Sequence, residues 1–498
     1  MSVRYHRWCG QPVRADRLRY AVLPWGNMPT EIDGCTYLTC AEVAEACGVS
    51  RQTIWRWRRD GVIPQGFRRR GRSVLFSSAE VELARSAAAE GGQVSRGACS
   101  EVYLDNAAST RPSPPVREAV IRAMTDAFGN PSSPHTSGLR ARRHLAEARE
   151  SIADLVGGDA DNVLFTSGGT EANNLVLTAC LHGGINRLVI SAVEHPSILD
   201  TAEYLAAQRI EVHVLPVSRE GVIDPEVLDT IDIDPRTLVS IQWANSETGV
   251  VQDVEQIGCR VKSRGGWVHS DAVQVAGKSQ MELSESSLDA ITITSHKLHG
   301  PQGVGALISR PDFPISPLIR GGGQERGRRA GTENYPGIVG FGVAAAQRLG
   351  TIRPFVRRCR SMRDYIESEL RRIIPGAEIN GSPSRRVCNI GNVMIPGIDG
   401  QALVAQLDAA GVRMSQVSAC SNMRPEPSRV LRAMGRSEKE AYGSLRFSVS
   451  EDTSFEGCRR AVELLVGIAG QLLGGDVYVS VAESRARVGT TSVPLEVA

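Results

Sequence analysis

"NVLFTSGGTEANNLVL", residues 162 to 177, decides the fold. Val163 to Phe165 form a short apolar run of strand type, Ser167-Gly168-Gly169 a turn, and Ala172 to Leu177 the apolar stripe of a helix. At such a helix start the backbone amides of Gly169 and Thr170 make an anion cup, and the Thr170 hydroxyl adds a donor. The design recurs in "RLVISAVEHPSIL" (187–199), "LVSIQWANSETGVVQD" (238–253), "WVHSDAVQVAGK" (267–278) and "ITITSHKLHGPQGVG" (291–305). Each is an apolar strand whose end delivers polar residues: His195, Asn245, Asp271 with Gln274, and His296 with Lys297 following Thr294. Alternating strands and helices predict a parallel sheet wrapped by helices, whose strand ends share one edge and one crevice. A single Asp or Asn in such a place is an ordinary turn or cap residue. Five consecutive strand ends carrying an anion cup, a histidine, an amide, an acid and a lysine point to a site. A lysine there is costly to bury unless it is paired or chemically employed.

A chain of 498 residues exceeds one compact core, so two or three domains are expected. The eleven cysteines, at 9, 35, 40, 47, 99, 180, 259, 359, 388, 420 and 458, form no CxxC pair and no zinc-like spacing. They read as reduced thiols in a cytoplasmic protein, with no metal site. No stretch approaches the roughly 20 apolar residues a membrane helix needs, and the basic N-terminus lacks the apolar run of a signal peptide, so no membrane partner is expected.

Residues 1–100 hold fifteen arginines, no lysine and nine acidic residues, which leaves the remainder of a chain of net charge +2 slightly acidic. Within them lies "YLTCAEVAEACGVSRQTIWRWRRDGVIP" (37–64). Thr39 and Glu42 make a capping box, Gly48 ends the first helix, and Ser50 caps a second. That second helix would turn Arg51, Gln52, Thr53, Arg56, Arg58 and Arg59 outward, with Ile54 and Trp57 inward. "GFRRRGRSVLF" (66–76) would be a wing, and Ser77 to Glu80 would cap a third helix. Residues 37–86 resemble the winged helix-turn-helix of the MerR and excisionase type. The resemblance implies DNA as a partner, with Gln52, Thr53 and Arg56 in the groove and Arg68, Arg69 and Arg70 on phosphates. A fold of this kind that binds protein instead stays open. Residues 1–36 read as an irregular basic arm, 87–101 as a linker, and 474–498 as an unassigned tail.

From about Val102 to Leu473 the chain resembles the NifS and IscS type of cysteine desulfurase within aminotransferase class V, which are pyridoxal phosphate enzymes of fold type I. The stretches that carry it are "VYLDNAAST", "FGNPSSPHTSG", "LFTSGGTEANN", "EHPSIL", "HSDAVQVAGK", "TSHKLHGPQGVGAL", "GGGQERGRRAGTEN", "SACSNMRPEPSRVLRAMG" and "LRFSVS", in the family's order. The resemblance implies an α/β fold with a large cofactor domain (102–355) and a smaller C-terminal α+β domain (356–473). It implies that Lys297 carries pyridoxal 5'-phosphate through its amine, that Asp271 pairs with the ring nitrogen, and that Gln274 bonds the ring oxygen with Asn245 beside it. His195 would stack on the ring and move a proton. Gly169, Thr170, Thr294 and His296 would line the phosphate site, and Thr332 would reach the phosphate of a neighbouring subunit, so a homodimer is implied. Asn106, Asn245 and Arg446 would bind the substrate, Arg446 clamping its carboxylate.

Cys420 sits in "QVSACSNMRPEPSRV", a polar, proline-bearing stretch outside any apolar periodicity. In the family's long-loop subgroup this position holds the nucleophile. The implied reaction takes L-cysteine to L-alanine, leaves a persulfide on Cys420 and passes the sulfur to an acceptor protein. Val417, Ser246 and Ser295 depart from the residues common there, and none of them removes a reacting group. The fused N-terminal segment implies a DNA-related pathway such as sulfur modification of the DNA backbone, or autoregulation, or docking to a protein. Another class V enzyme, such as a selenocysteine lyase or an aminotransferase, and a transcription regulator built on the cofactor fold are the alternatives.

Overall fold

The computed structural model describes residues 30–32, 35–59, 68–70, 73–77, 81, 84, 101–182, 184–416 and 427–474. Cys420, residues 78–80 of the expected third-helix cap, residues 87–100, most of the expected arm (1–29) and the tail from residue 475 lie outside them. The chain divides into two compact units at Cys99/Ser100.

In the first unit four antiparallel strands run in the order Thr30–Ile32, Cys35–Thr39, Ser73–Ser77, Arg68–Arg70. Helices Cys40–Ala46 and Arg51–Arg59 pack on them. The capping box forms as its sequence dictates: the Thr39 amide donates to Glu42 Oε2 at 2.6 Å and the Glu42 amide to Thr39 Oγ1 at 3.5 Å. Thr53 N donates to Ser50 Oγ at 3.0 Å, which starts the second helix. Val43, Ala44, Ile54, Trp57, Phe76, Val81 and Ala84 make the core.

Two details differ from the sequence expectation. Residues 30–32 pair with 35–37 instead of trailing as an arm; the Asp33-Gly34 dipeptide between them is a hairpin signal. Arg58 is not outward but 7% exposed, its guanidinium 5.1 Å from the Trp55 ring centre and 5.8 Å from that of Phe76. At i+4 from Ile54 it shares the buried face, and its long stem and planar head pack against aromatic rings.

The second unit is built on a seven-stranded sheet ordered Val163–Thr166, Gly305–Ser309, Ala290–Thr294, Trp267–Asp271, Thr237–Ser240, Arg187–Ser191, Glu211–Leu215. Only Gly305–Ser309 runs against its neighbours, so the other six strands end on one edge. Strand Ala290–Thr294 is buried along its whole length, and the side chains of Ile291 and Ile293 contribute about 1.5–3 kcal/mol each. Helices cover the sheet, among them Gly169–Leu177, Pro196–Ala207 and Thr136–Val156.

Helix Tyr335–Ile373 then runs from this core, where Phe341 and Ala345 pack, into a second core around Met362, Ile366 and Leu370. That second core backs a four-stranded antiparallel sheet ordered Glu378–Ile379, Ile390–Met394, Ser444–Ser448, Ser415–Gln416. Strand Val102–Tyr103 pairs in parallel with Val412–Arg413, so the start of this unit lies with its C-terminal layer. Among the described residues no helix is long and apolar enough to cross a membrane.

Candidate active site

Where the strands end, a cavity of about 590 Å³ opens, within the range of ligand sites. Gly169, Thr170, His195, Asp271, Gln274, Thr294, His296, Lys297 and Arg446 all border it, as do Pro427 and Ser428 just past the segment that holds Cys420.

Lys297 closes the single turn Ser295–Lys297 that follows strand Ala290–Thr294. Its Nζ donates to the carbonyls of Ala107 and Ala108, each at 2.6 Å. Asp271 ends strand Trp267–Asp271 and is buried; Oδ1 accepts from Val273 N at 3.0 Å and Oδ2 from Asn173 Nδ2 at 2.8 Å. Helix Gly169–Leu177 starts at Gly168, which has no side chain to cap it, so the first-turn amides remain for an anion. His195 caps helix Pro196–Ala207: its Nδ1 accepts from Ser197 N at 3.1 Å. Burial holds the imidazole below its ordinary pKa, and the Lys297 amine adds to this against the opposing Asp271 carboxylate. His296 is pushed down to about 4, by burial first and then by Lys297 and Lys278. Both rings are therefore neutral at pH 7.

Gln274 donates through Nε2 to Ala107 O at 3.0 Å and accepts through Oε1 from Lys278 Nζ at 2.9 Å. Thr294 Oγ1 donates to Val304 O at 3.2 Å. Arg446 donates from one terminal nitrogen to Ser246 O at 3.0 Å and from the other to Asp105 Oδ1 at 2.7 Å, while its buried Nε has no partner.

Three residues named from the sequence do not border the cavity. Asn245 is buried, its Oδ1 accepting from the amides of Glu247 and Thr248 at 2.9 and 2.8 Å and its Nδ2 donating to Val193 O. It caps its own turn, as asparagine does when local amides are in reach. Asn106 Nδ2 is spent on Ser448 O at 2.8 Å. Thr332 is exposed and borders a separate recess with Ser167 and Arg329.

Other residues at the cavity went unnamed. Glu194 and Glu247 are carboxyls that burial pushes up to about 8 and about 7. Asn173 donates from Nδ2 both to Asp271 and to Ser197 Oγ, at 2.9 Å, and its buried Oδ1 has no partner. Its place at i+3 from Thr170 on a helix aimed at the anion cup was the signal for it.

A reactive amine, a buried carboxylate, an uncapped helix N-terminus and a guanidinium around one cavity, with orphaned donors and acceptors at its wall, fit pyridoxal phosphate. A fold of helices on a mostly parallel sheet, with this edge as its site, defines a pyridoxal phosphate enzyme of fold type I. The family description "Aminotransferase class-V" matches residues 102–460, and a helix-turn-helix domain matches residues 37–84. The cysteine desulfurase of Nostoc sp. is 40% identical over 375 residues, which is 75% of this chain and 94% of that one. A solved NifS-like protein is 33% identical with a TM-score of 0.70, covering 75% of this chain and all of its own. DndA from Streptomyces lividans is 33% identical with a TM-score of 0.59, covering 70% of this chain and 99% of its own.

The chain belongs to the aminotransferase class V family, with a helix-turn-helix domain at its N-terminus. Within it, this is a pyridoxal phosphate-dependent cysteine desulfurase whose substrate is cysteine.

Proposed function

We propose that the enzyme moves the sulfur of L-cysteine to Cys420 as a persulfide, using the side chains gathered at this cavity. The observation that carries the reading is that Lys297, Asp271, His195, Arg446 and the Gly169–Thr170 turn all border one cavity. Lys297 holds the cofactor covalently, Asp271 pairs with its ring nitrogen, Gln274 meets its ring oxygen, and the turn at Gly169 and Thr170, with Thr294 and His296, receives its phosphate. The bound cofactor draws electrons from the substrate and weakens the Cβ–S bond. Arg446 holds the substrate carboxylate, and Lys297 and His195 hold and return protons. The Cys420 thiolate forms a bond to the substrate sulfur; the Cβ–S bond breaks, its electron pair stays with the substrate, and protonation yields alanine.

Arg446 gives a sharp test. Arg446→Lys keeps the charge but loses the planar fork, so KM for L-cysteine is expected to rise about 10- to 100-fold with a smaller change in kcat. An unchanged KM in steady-state assays of alanine release removes Arg446 from the substrate site.

Thr332, exposed and away from the cavity of its own chain, is read as serving a partner's phosphate in a homodimer. The unpaired cysteine spacing supports a cytoplasmic setting. The N-terminal unit is read as a DNA-docking module that brings the sulfur donor to a DNA-related pathway such as backbone sulfur modification. In its support, Arg51, Gln52 and Arg56 are exposed on helix Arg51–Arg59, and strand Arg68–Arg70 stands at the edge of the sheet. Binding of the full chain to duplex DNA is expected to weaken steeply with salt, and Arg69→Ala, as a phosphate contact, to lower the log–log slope by about one. Salt-independent binding in a gel shift, or capture of a protein acceptor alone, turns the reading toward protein docking.

A further inference from the structure

His195 does not cap its helix alone. Asn173 Nδ2 donates one hydrogen to Asp271 Oδ2 at 2.8 Å and the other to Ser197 Oγ at 2.9 Å. Ser197 Oγ thus accepts from Asn173, and its own hydrogen is left for His195 Nδ1, 2.8 Å away. Nδ1 also accepts the Ser197 backbone N–H, so it is an acceptor and holds no proton. The neutral ring carries its proton on Nε2, the nitrogen opposite the cap, and His195 and Ser197 both border the cavity. Asn173, Ser197 and Asp271 come from a helix, a helix start and a strand end 98 residues apart at the extremes.

We propose that Ser197 and Asn173 are positioning residues that fix His195 as the neutral Nε2–H tautomer and tie its orientation to the Asp271 carboxylate. The proposal deepens the role of His195 in proton transfer and rests on that reading for its effect on turnover. Two donors on Nδ1 are satisfied only by the unprotonated nitrogen, so both favour the neutral ring. Burial lowers the affinity of this ring for a proton in the same direction, as does Lys297; the carboxylates facing it, Asp271 and Asp200, oppose. Neither carboxylate bonds the imidazole directly: Asp271 acts through the Asn173 amide. The arrangement presents a proton donor to the cavity, and recovery of that proton after transfer needs no change of tautomer.

The test uses the full-length holoenzyme with ¹⁵N-labelled histidine rings, the His195 signals being assigned by their loss in His195→Gln. Wild type is expected to show an unprotonated Nδ1 and a protonated Nε2. In Ser197→Ala the preference relaxes and the ring pKa rises by about half a unit to one unit, one hydrogen bond's worth. The acid limb of kcat/KM moves the same way, Ser197→Thr restores both, and Asn173→Ala reproduces part of the shift through a different residue. Identical His195 signals and acid limbs in wild type, Ser197→Ala and Asn173→Ala overturn the relay. Should His195→Gln retain full turnover while Ser197→Ala still moves the ring signals, the relay stands and the proton-transfer reading of His195 fails.

Discussion

Cys420→Ala is expected to stop alanine formation from L-cysteine, lowering kcat at least about 1,000-fold while the cofactor still loads. The thiol is the proposed acceptor of the substrate sulfur, and no cysteine among the described residues borders the cavity. Cys180, Cys359, Cys388 and Cys458 are buried in apolar cores, and the exposed Cys259 lies on helix Val254–Lys262, whose residues do not border the cavity. Burial pushes the thiols of Cys180 and Cys458 up to about 12 and about 11, which keeps them as inert thiols at neutral pH. The measurement is alanine release with excess reductant, alongside mass spectrometry of the intact chain for one added sulfur. Full activity in Cys420→Ala would reject persulfide chemistry and favour a lyase-type class V reaction that needs no protein thiol.

Lys297→Ala is expected to cost more, about 10,000-fold or greater in turnover, because in the proposed mechanism one amine both anchors the cofactor and serves as a base. Its part-buried Nζ is held by two carbonyls, so the amine is aimed before any ligand arrives. Lys297→Arg should fare no better, since a guanidinium stays protonated and cannot make the covalent link. Turnover by Lys297→Ala above about a tenth of wild type would move the anchoring role elsewhere.

Much of this was legible in the sequence where period and punctuation agree. Strand Ala290–Thr294 reads as buried because every residue in it is apolar or β-branched, and the strand ends at His195, Asp271 and Lys297 reach one edge because six strands of the sheet share a direction. The capping box at Thr39 and Glu42 was written in two letters and formed as such. What escaped is where a long-range partner overrides local type. Arg58 follows the buried helical face despite its charge, since aromatic rings are there to receive it. Asn245 looks like a ligand and is consumed by the amides two and three residues on. Asn173 and Ser197 look like helix filler, and only the folded sheet brings Asp271 beside them.

In the proposed mechanism the cofactor is tethered at position 297, where the strands of the sheet end. Borohydride fixation of the purified holoenzyme followed by peptide mass spectrometry tests it most directly. A pyridoxyl group is expected on the peptide containing Lys297, and none in Lys297→Ala. Fixation on a different lysine, or none in protein that still turns over cysteine, would contradict it.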